Sequence, residues 1–156
     1  MATKIYFDMD GTVYDLYGIE GWLEMLESEN DEVFKIGSPL VDMARLGEVA
    51  KKLIEVGIEI GIITWLPKDA TRGYERRCAR IKEEWKNKYM PYVNEFYAVP
   101  YGTPKHKVPV KKSKTMILFD DNYRVRCDWD TYTQRRAFDV DDIIKVMYEI
   151  LEGVTC

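Results

Sequence analysis

Two mostly apolar segments of this chain run directly into acidic residues, and this feature limits the possible folds more than any other. Residues 3–8 end in Asp8, and residues 115–119 are followed at once by Asp120 and Asp121. Apolar runs of this length are typical of strands that are buried on both faces of a parallel sheet. The carboxyl ends of parallel strands meet at one edge, where ligands bind. We therefore expect these acids to share one site.

The sequence between these segments alternates between helix-like and strand-like patterns. Apolar positions at a helical period predict three helices, at residues 41–56, 68–89 and 139–152. Apolar runs predict three further strands, at residues 58–63, 93–99 and 137–138. Shorter helical segments are expected around Trp22 and at residues 122–129, with Asp139 or Asp141 capping the last helix and Gly153 just beyond its end. This alternation predicts an α/β domain with a mostly parallel sheet.

Length and composition narrow the class of protein further. The chain has 156 residues, of which 46% are apolar and 32% are charged, as in one globular domain. Its net charge of −4 argues against a protein that coats nucleic acid. Three widely spaced cysteines without a CxxC pair exclude a disulfide framework and a zinc ribbon. With no apolar run of about 18 residues and no room for a signal peptide, we expect a cytoplasmic protein without membrane association.

The residues at the predicted strand ends indicate what the site binds. Thr64 follows the second strand, and a lysine-rich loop follows the third. Several carboxylates in one crevice repel one another unless a cation joins them. Mg²⁺ is the simplest such cation, because it prefers oxygen ligands. A metal ion, a lysine and a threonine hydroxyl together suit a phosphoryl group, whose oxygens need positive charge and hydrogen-bond donors.

Two of the acids have the chemistry that phosphoryl transfer requires. Asp8 could act as a nucleophile that forms an aspartyl-phosphate. Asp10 lies two residues further on, near the same point of the turn. It could protonate the leaving group and later activate water.

Four motifs, in order along the chain, resemble those of a known family. Residues 7–12 (FDMDGT) are similar to the signature of the haloacid dehalogenase (HAD) superfamily in its phosphatase form. Residues 61–64 (GIIT) resemble its second motif, the lysine loop its third, and residues 118–121 (LFDD) its fourth. The resemblance covers nearly the whole chain. It implies a three-layer, Rossmann-like α/β domain.

The resemblance also implies a role for each matching residue. Asp8 is implied to be the nucleophile and a metal ligand, and Asp10 the acid/base, with its backbone carbonyl on the metal. Thr64 is implied to bind the phosphate. Asp120 is implied to hold Mg²⁺, and Asp121 to be a further ligand or an acid beside the ligands. An acid at position 10 favours phosphate hydrolysis, because dehalogenases of the family lack this second acid and the metal.

The lysine of the third motif can be assigned in two ways. Lys105 and Lys107 both lie in the loop after the third strand, with Lys111 and Lys112 close by. Lys105 is favoured, because it comes soonest after the strand and so stays closest to its end. Lys107 is the alternative.

A second group of basic residues lies on the helix predicted at residues 68–89. We interpret it as the solvated face of that helix, with nucleic-acid binding as the alternative. Its members are Arg72, Arg76, Arg77, Arg80, Lys82, Lys86 and Lys88.

Substrate choice in the HAD superfamily usually depends on a cap that follows the first or second motif. The spacing here leaves room only for a minimal cap or flap at residues 14–40, so we expect one domain over residues 1–156 without a large cap. The second and fourth motifs are similar to those of the deoxyribonucleotidase branch, which implies a nucleotide substrate. An open site would also admit a polynucleotide end. A phosphotransferase and a non-catalytic binding module of the same fold are the other hypotheses.

Overall fold

The computed structural model describes residues 3–108 and 115–155, which form five strands and five α-helices. The strands are β1 (Thr3–Phe7), β2 (Glu59–Trp65), β3 (Glu95–Val99), β4 (Thr115–Phe119) and β5 (Arg135–Phe138). The helices are α1 (Trp22–Glu27), α2 (Met43–Glu55), α3 (Arg72–Tyr89), α4 (Tyr123–Asp130) and α5 (Ile143–Thr155). Short 3₁₀ turns cover Asp31–Phe34, Lys105–Lys107 and Val140–Asp142.

All five strands pair in parallel, in the order β3-β2-β1-β4-β5. This confirms the predicted α/β class. From β1 the chain moves outward on one side through β2 and β3, and then on the other side through β4 and β5. The direction of winding therefore changes between β1 and β4. A crevice opens at the carboxyl ends of these two strands, where open α/β sheets bind ligands.

Alternation along the strands gives the sheet two buried faces. Ile5 and Phe7 of β1 belong to a large core that includes side chains of α2, α3 and α5. Tyr6, which lies between them, faces a smaller core with Val125 and Trp129 of α4. Helices thus cover the sheet on both sides, as a three-layer domain requires. Both cores leave the carboxyl edge of the sheet free for polar side chains.

The pairing register sets Asp8 beside Asp120. Phe7 at the end of β1 pairs with Phe119 at the end of β4, and their rings stack with centroids 5.1 Å apart. The next residue of each strand is acidic, and the backbone N–H of Asp8 still donates to the Phe119 carbonyl. On the other side of β1, β2 ends one residue beyond Thr64. The strand ends thus bring three predicted site residues to one edge.

Residues 14–40 form a small segment between β1 and α2, and they contain α1 and one 3₁₀ turn. The Tyr74 hydroxyl of α3 donates to the Asn30 carbonyl at 2.8 Å, and Glu29 accepts hydrogen bonds from Thr71. These contacts tie the segment to the start of α3. It is far smaller than an inserted cap domain, in agreement with the predicted absence of a large cap.

Three predicted helix boundaries differ from the structure by more than two residues. Helix α5 begins at Ile143 rather than at residue 139, because Asp139 caps the 3₁₀ turn Val140–Asp142 instead of the helix. Helix α3 begins at Arg72 rather than at residue 68, because the Thr71 side chain caps it by accepting the Tyr74 N–H. The prediction that Gly153 follows the last helix is wrong, since α5 continues to residue 155. Within residues 3–108 and 115–155, no helix is both long and apolar enough to cross a membrane.

Gly61 of β2 is expected to tolerate no side chain. A Cβ atom at this position would lie 2.6 Å from the Tyr6 ring, whose hydroxyl donates to Glu95. We expect Gly61→Ala to lower the free energy of unfolding by about 1–3 kcal/mol through overpacking, measured by urea denaturation. Gly153→Ala is the matched control, because a Cβ atom there meets nothing within 4 Å. Equal losses in the two variants would contradict this explanation.

Candidate active site

A buried lysine joins the acids at the ends of β1 and β4. The Nζ atom of Lys105 lies 2.7 Å from Asp8 Oδ1 and 2.7 Å from Asp120 Oδ2. All three side chains are buried. Burial lowers the pKa of Lys105, but the charges of Asp8 and Asp120 more than offset this and raise the pKa to about 12. Lys105 is therefore a charged ammonium group that holds two carboxylates together.

A single 3₁₀ turn determines which lysine reaches the acids. Lys105 is buried at its first position, whereas Lys107 is exposed. The indole N–H of Trp65 donates to the Thr103 carbonyl at 2.8 Å, and the Trp65 ring lies 5.2 Å from Lys105 Nζ. The end of β2 thereby fixes the loop that carries Lys105. The loop lysines at residues 109–114 lie outside the described residues.

The turn after β1 orients the Asp8 side chain through Thr12. The Thr12 hydroxyl donates to Asp8 Oδ2 at 3.0 Å and accepts the backbone N–H of Asp121 at 3.2 Å. Gly11 makes the turn possible, because its φ of 78° favours glycine and a Cβ there would collide with the Asp121 side chain. Thr12 lies in the first motif, but sequence reasoning assigned it no role.

Three carboxylates form a cluster that could hold a metal ion. Asp8, Asp120 and Asp121 each offer an oxygen, and these oxygens lie within 4.8 Å of one another. Burial, together with the negative charge of Asp8, raises the pKa of Asp120 to about 6 and that of Asp121 to about 8. These shifts indicate that the cluster has less positive charge than its acids need.

A second buried lysine, Lys82 of α3, links the other two predicted residues. Its Nζ atom lies 2.8 Å from Asp10 Oδ2 and 2.9 Å from Thr64 Oγ1. The same ammonium group donates to the Trp65 carbonyl at 2.8 Å. Burial raises the pKa of Asp10, an effect that the Lys82 charge opposes and the Asp8 charge reinforces. The structure therefore brings Asp10 and Thr64 together through a residue not predicted for the site.

The interpretation of Lys82 as part of a solvated helix face is wrong, because its side chain is fully buried. Cys78 and Trp85 of α3 are buried as well, one helical turn before Lys82 and three residues after it. Residues at these spacings share one face of a helix. The apolar stripe of α3 was thus the signal that could have placed Lys82 inside. The basic residues that flank Lys82 in the sequence concealed that signal.

The charges of the site fit a divalent cation. Among residues 3–108 and 115–155, four carboxyl groups and two ammonium groups meet at this edge, which would leave two excess negative charges with every one of these groups ionised. Proton uptake by Asp120 and Asp121 reduces this excess, in agreement with their raised pKa values. A divalent cation would remove it entirely. The donors are carboxylate oxygens, which Mg²⁺ prefers.

A cavity of about 350 Å³ opens onto the charged groups. Two aromatic pairs line it. Tyr17 and Trp22 pack edge to face with ring centroids 4.9 Å apart, and Trp65 and Tyr101 lie 5.0 Å apart. One pair comes from residues 14–40, and the other comes from the end of β2 and the segment after β3. The cavity thus combines a charged floor with flat apolar surfaces.

Comparisons with known proteins agree with this architecture. No family model matches the chain, and no curated protein matches its sequence. Among solved structures, the chain is similar to D,D-heptose 1,7-bisphosphate phosphatase from Burkholderia thailandensis, with a TM-score of 0.52 and 11% sequence identity. The match covers 96% of this chain and 98% of that chain. It confirms the expected three-layer, Rossmann-like α/β fold.

The metal-free site is expected to destabilise the protein as the pH rises. Asp120 and Asp121 have raised pKa values in the folded state, so between about pH 4 and pH 8 the folded state binds more protons than the unfolded state. Their contribution to the free energy of unfolding therefore falls as the pH rises through this window. Urea denaturation in the presence of a chelator measures the free energy of unfolding at each pH. Asp121→Asn should make this free energy depend less on pH.

Mg²⁺ is expected to reverse this effect. It competes with protons for the same oxygens, so it should raise the midpoint of thermal unfolding more at about pH 8 than at about pH 5. Asp121→Asn should reduce the increase. A midpoint that is unchanged by Mg²⁺ at about pH 8 would contradict a metal site at these residues.

Proposed function

We propose that this protein is a Mg²⁺-dependent phosphatase that hydrolyses phosphate monoesters through an aspartyl-phosphate on Asp8. One observation carries the proposal: buried Lys105 bonds Asp8 and Asp120 at 2.7 Å each, at the floor of a cavity that Asp10 also lines. This arrangement presents a carboxylate nucleophile, an ammonium group and a second acid to one bound group. The fold of a known phosphatase, shared at low sequence identity, supports the same reaction class.

In the first half of the reaction, an Asp8 carboxylate oxygen attacks phosphorus and the bond from phosphorus to the leaving-group oxygen breaks. Asp10 gives its proton to that oxygen, and burial favours the protonated form from which it starts. Lys105 and the Thr64 hydroxyl stabilise the negative charge on the phosphoryl oxygens. Asp8, Asp120 and Asp121 would hold Mg²⁺ through their carboxylates and Asp10 through its carbonyl. When bound, the ion neutralises charge on the phosphoryl group.

In the second half, Asp10 accepts a proton from water, and the water oxygen attacks the phosphorus of the aspartyl-phosphate. The bond from phosphorus to the Asp8 oxygen breaks, which releases inorganic phosphate and restores the Asp8 carboxylate. The cycle thus ends with both acids in their starting protonation states. An acid/base at position 10 is what makes this second half possible.

A nucleotide is the substrate class that we propose. The aromatic pairs of the cavity offer surfaces on which a nucleobase can stack while its phosphate meets the charged floor. A volume of about 350 Å³ suits a small molecule better than a long polymer. The similarity of the second and fourth motifs to the deoxyribonucleotidase branch supports the same choice.

Asp8→Asn is expected to abolish turnover, because an amide cannot serve as the nucleophile. We expect phosphate release to fall by at least about a thousandfold, while circular dichroism shows an intact fold. Asp142→Asn, an exposed aspartate in a 3₁₀ turn, is the matched control and should keep wild-type rates. Substantial turnover by Asp8→Asn would disprove the assignment of the nucleophile.

The substrates of that assay separate the proposal from its alternatives. The panel contains nucleoside monophosphates, a sugar phosphate, p-nitrophenyl phosphate and oligonucleotides with 3′ or 5′ phosphates, each with Mg²⁺ and with a chelator. Preference for an oligonucleotide would favour a polynucleotide-end phosphatase. Transfer of phosphate to an added nucleoside or sugar would indicate a phosphotransferase. Release from no substrate would favour a binding module of the same fold.

Tyr101→Ala is expected to weaken nucleotide binding. Tyr101 is 54% exposed and contacts Trp65 at the cavity, so its loss removes stacking surface without opening the core. Stacking of a base on an aromatic ring is worth about 1–3 kcal/mol, which predicts a rise in KM of about tenfold for nucleoside monophosphates. The KM for glycerol phosphate, which has no base, should stay constant. Equal increases for both substrates would exclude base stacking on Tyr101.

A further inference from the structure

We propose that Lys82 is a positioning residue, which aligns Asp10 and Thr64 for proton transfer and phosphate binding while making no contact with the substrate itself. This inference rests on the proposed function. It concerns a residue that neither the four motifs nor the structural similarity assigns.

Every hydrogen of the Lys82 ammonium group has an acceptor. The three acceptors are Asp10 Oδ2 at 2.8 Å, Thr64 Oγ1 at 2.9 Å and the Trp65 carbonyl at 2.8 Å. An ammonium group has three donors, so this set saturates it. The side chain is fully buried, and its Nζ atom lies 4.6 Å from the centroid of the Phe34 ring. Lys82 has no donor left for a substrate.

The hydrogen bond to Thr64 fixes the direction of the threonine hydroxyl. Lys82 can only donate, so Thr64 Oγ1 must accept at this contact. The hydroxyl hydrogen of Thr64 must then point away from Lys82, and in the proposed reaction it donates to a phosphoryl oxygen. Lys82 thereby sets Thr64 as a donor toward the site.

The hydrogen bond to Asp10 divides the roles of its two carboxylate oxygens. Oδ2 accepts from Lys82, whereas Oδ1 is buried and has no hydrogen-bond partner among the described residues. An unpartnered buried oxygen is rare, and it marks the atom that is available to carry the transferred proton. Lys82 thus leaves Oδ1 of Asp10 for the leaving group and for water.

The two buried lysines of the site have separate partners. Lys105 bonds Asp8 and Asp120, while Lys82 bonds Asp10 and Thr64. Buried ion pairs contribute little net stability, and apolar replacements of similar shape often fold as well. A purely structural role would therefore be met as well by an apolar pair in place of Lys82 and Asp10, whereas Lys82→Met alone would leave the Asp10 carboxylate buried without its counter-charge. The orientation that the ammonium group gives to Asp10 and Thr64 explains why a lysine stands at this position.

The dependence of the rate on the leaving group tests this proposal. A nucleoside 5′-monophosphate releases a strongly basic alkoxide, which needs the proton of Asp10, whereas p-nitrophenyl phosphate releases a weakly basic phenolate, which hardly needs it. We expect Lys82→Met to lower kcat for the nucleotide at least about tenfold more than kcat for p-nitrophenyl phosphate. Lys86→Met, a lysine of α3 whose ammonium group donates to the neighbouring Asn87, is the control and should leave both rates unchanged.

The double variant Lys82→Met/Asp10→Asn shows whether Lys82 acts through Asp10. Because it removes both charges of the buried pair, it can also be used if Lys82→Met alone does not fold. For the nucleotide, Lys82→Met should lower kcat by a smaller factor in the Asp10→Asn background than in the wild type, because only its contribution through Thr64 then remains. Equal losses for both substrates in Lys82→Met, or an additive further loss in the double variant, would overturn the positioning role. If the wild type hydrolyses neither substrate, the proposed function fails, and this inference fails with it.

Discussion

Mutual repulsion of carboxylates at the end of a parallel sheet is the constraint on which the rest of this structure depends. Pairing of β1 with β4 sets Asp8 beside Asp120, and the turn after β1 adds Asp10. Such a group is stable only when cations are buried with it. The loop after β3 and the helix α3 each supply one, Lys105 and Lys82. The connections between strands are therefore as much a part of the site as the strand ends.

The acids of the site could be predicted from the sequence because their position follows from local patterns. An apolar run followed by an acid indicates a strand end, and parallel pairing brings such ends together. Lys105 could be ranked above Lys107 by its distance along the chain from β3, and the structure buries Lys105 while leaving Lys107 exposed. The catalytic roles of the acids and of Lys105 stay predictions.

Lys82 and Gly153 escaped prediction for a common physical reason. A lysine among other basic residues is normally solvated, and a glycine near the end of a helical pattern normally stops the helix. Both rules describe local preference, which tertiary packing can override. Lys82 is drawn inward by Asp10 and Thr64, residues that are remote from it in sequence. Only the apolar stripe on α3 indicated that Lys82 faces the interior.

The central position of β1 in the sheet also fixes when the site can form during synthesis. Residues 3–7 are synthesised before their partner strand β4, which begins only at residue 115. Until then, one edge of β1 has no neighbour, and Asp8 lacks Asp120. A nascent chain therefore carries Asp8 without its neighbour Asp120 until β4 has been made. The site is therefore complete only once β4 has docked beside β1, which is a contact between segments far apart in sequence.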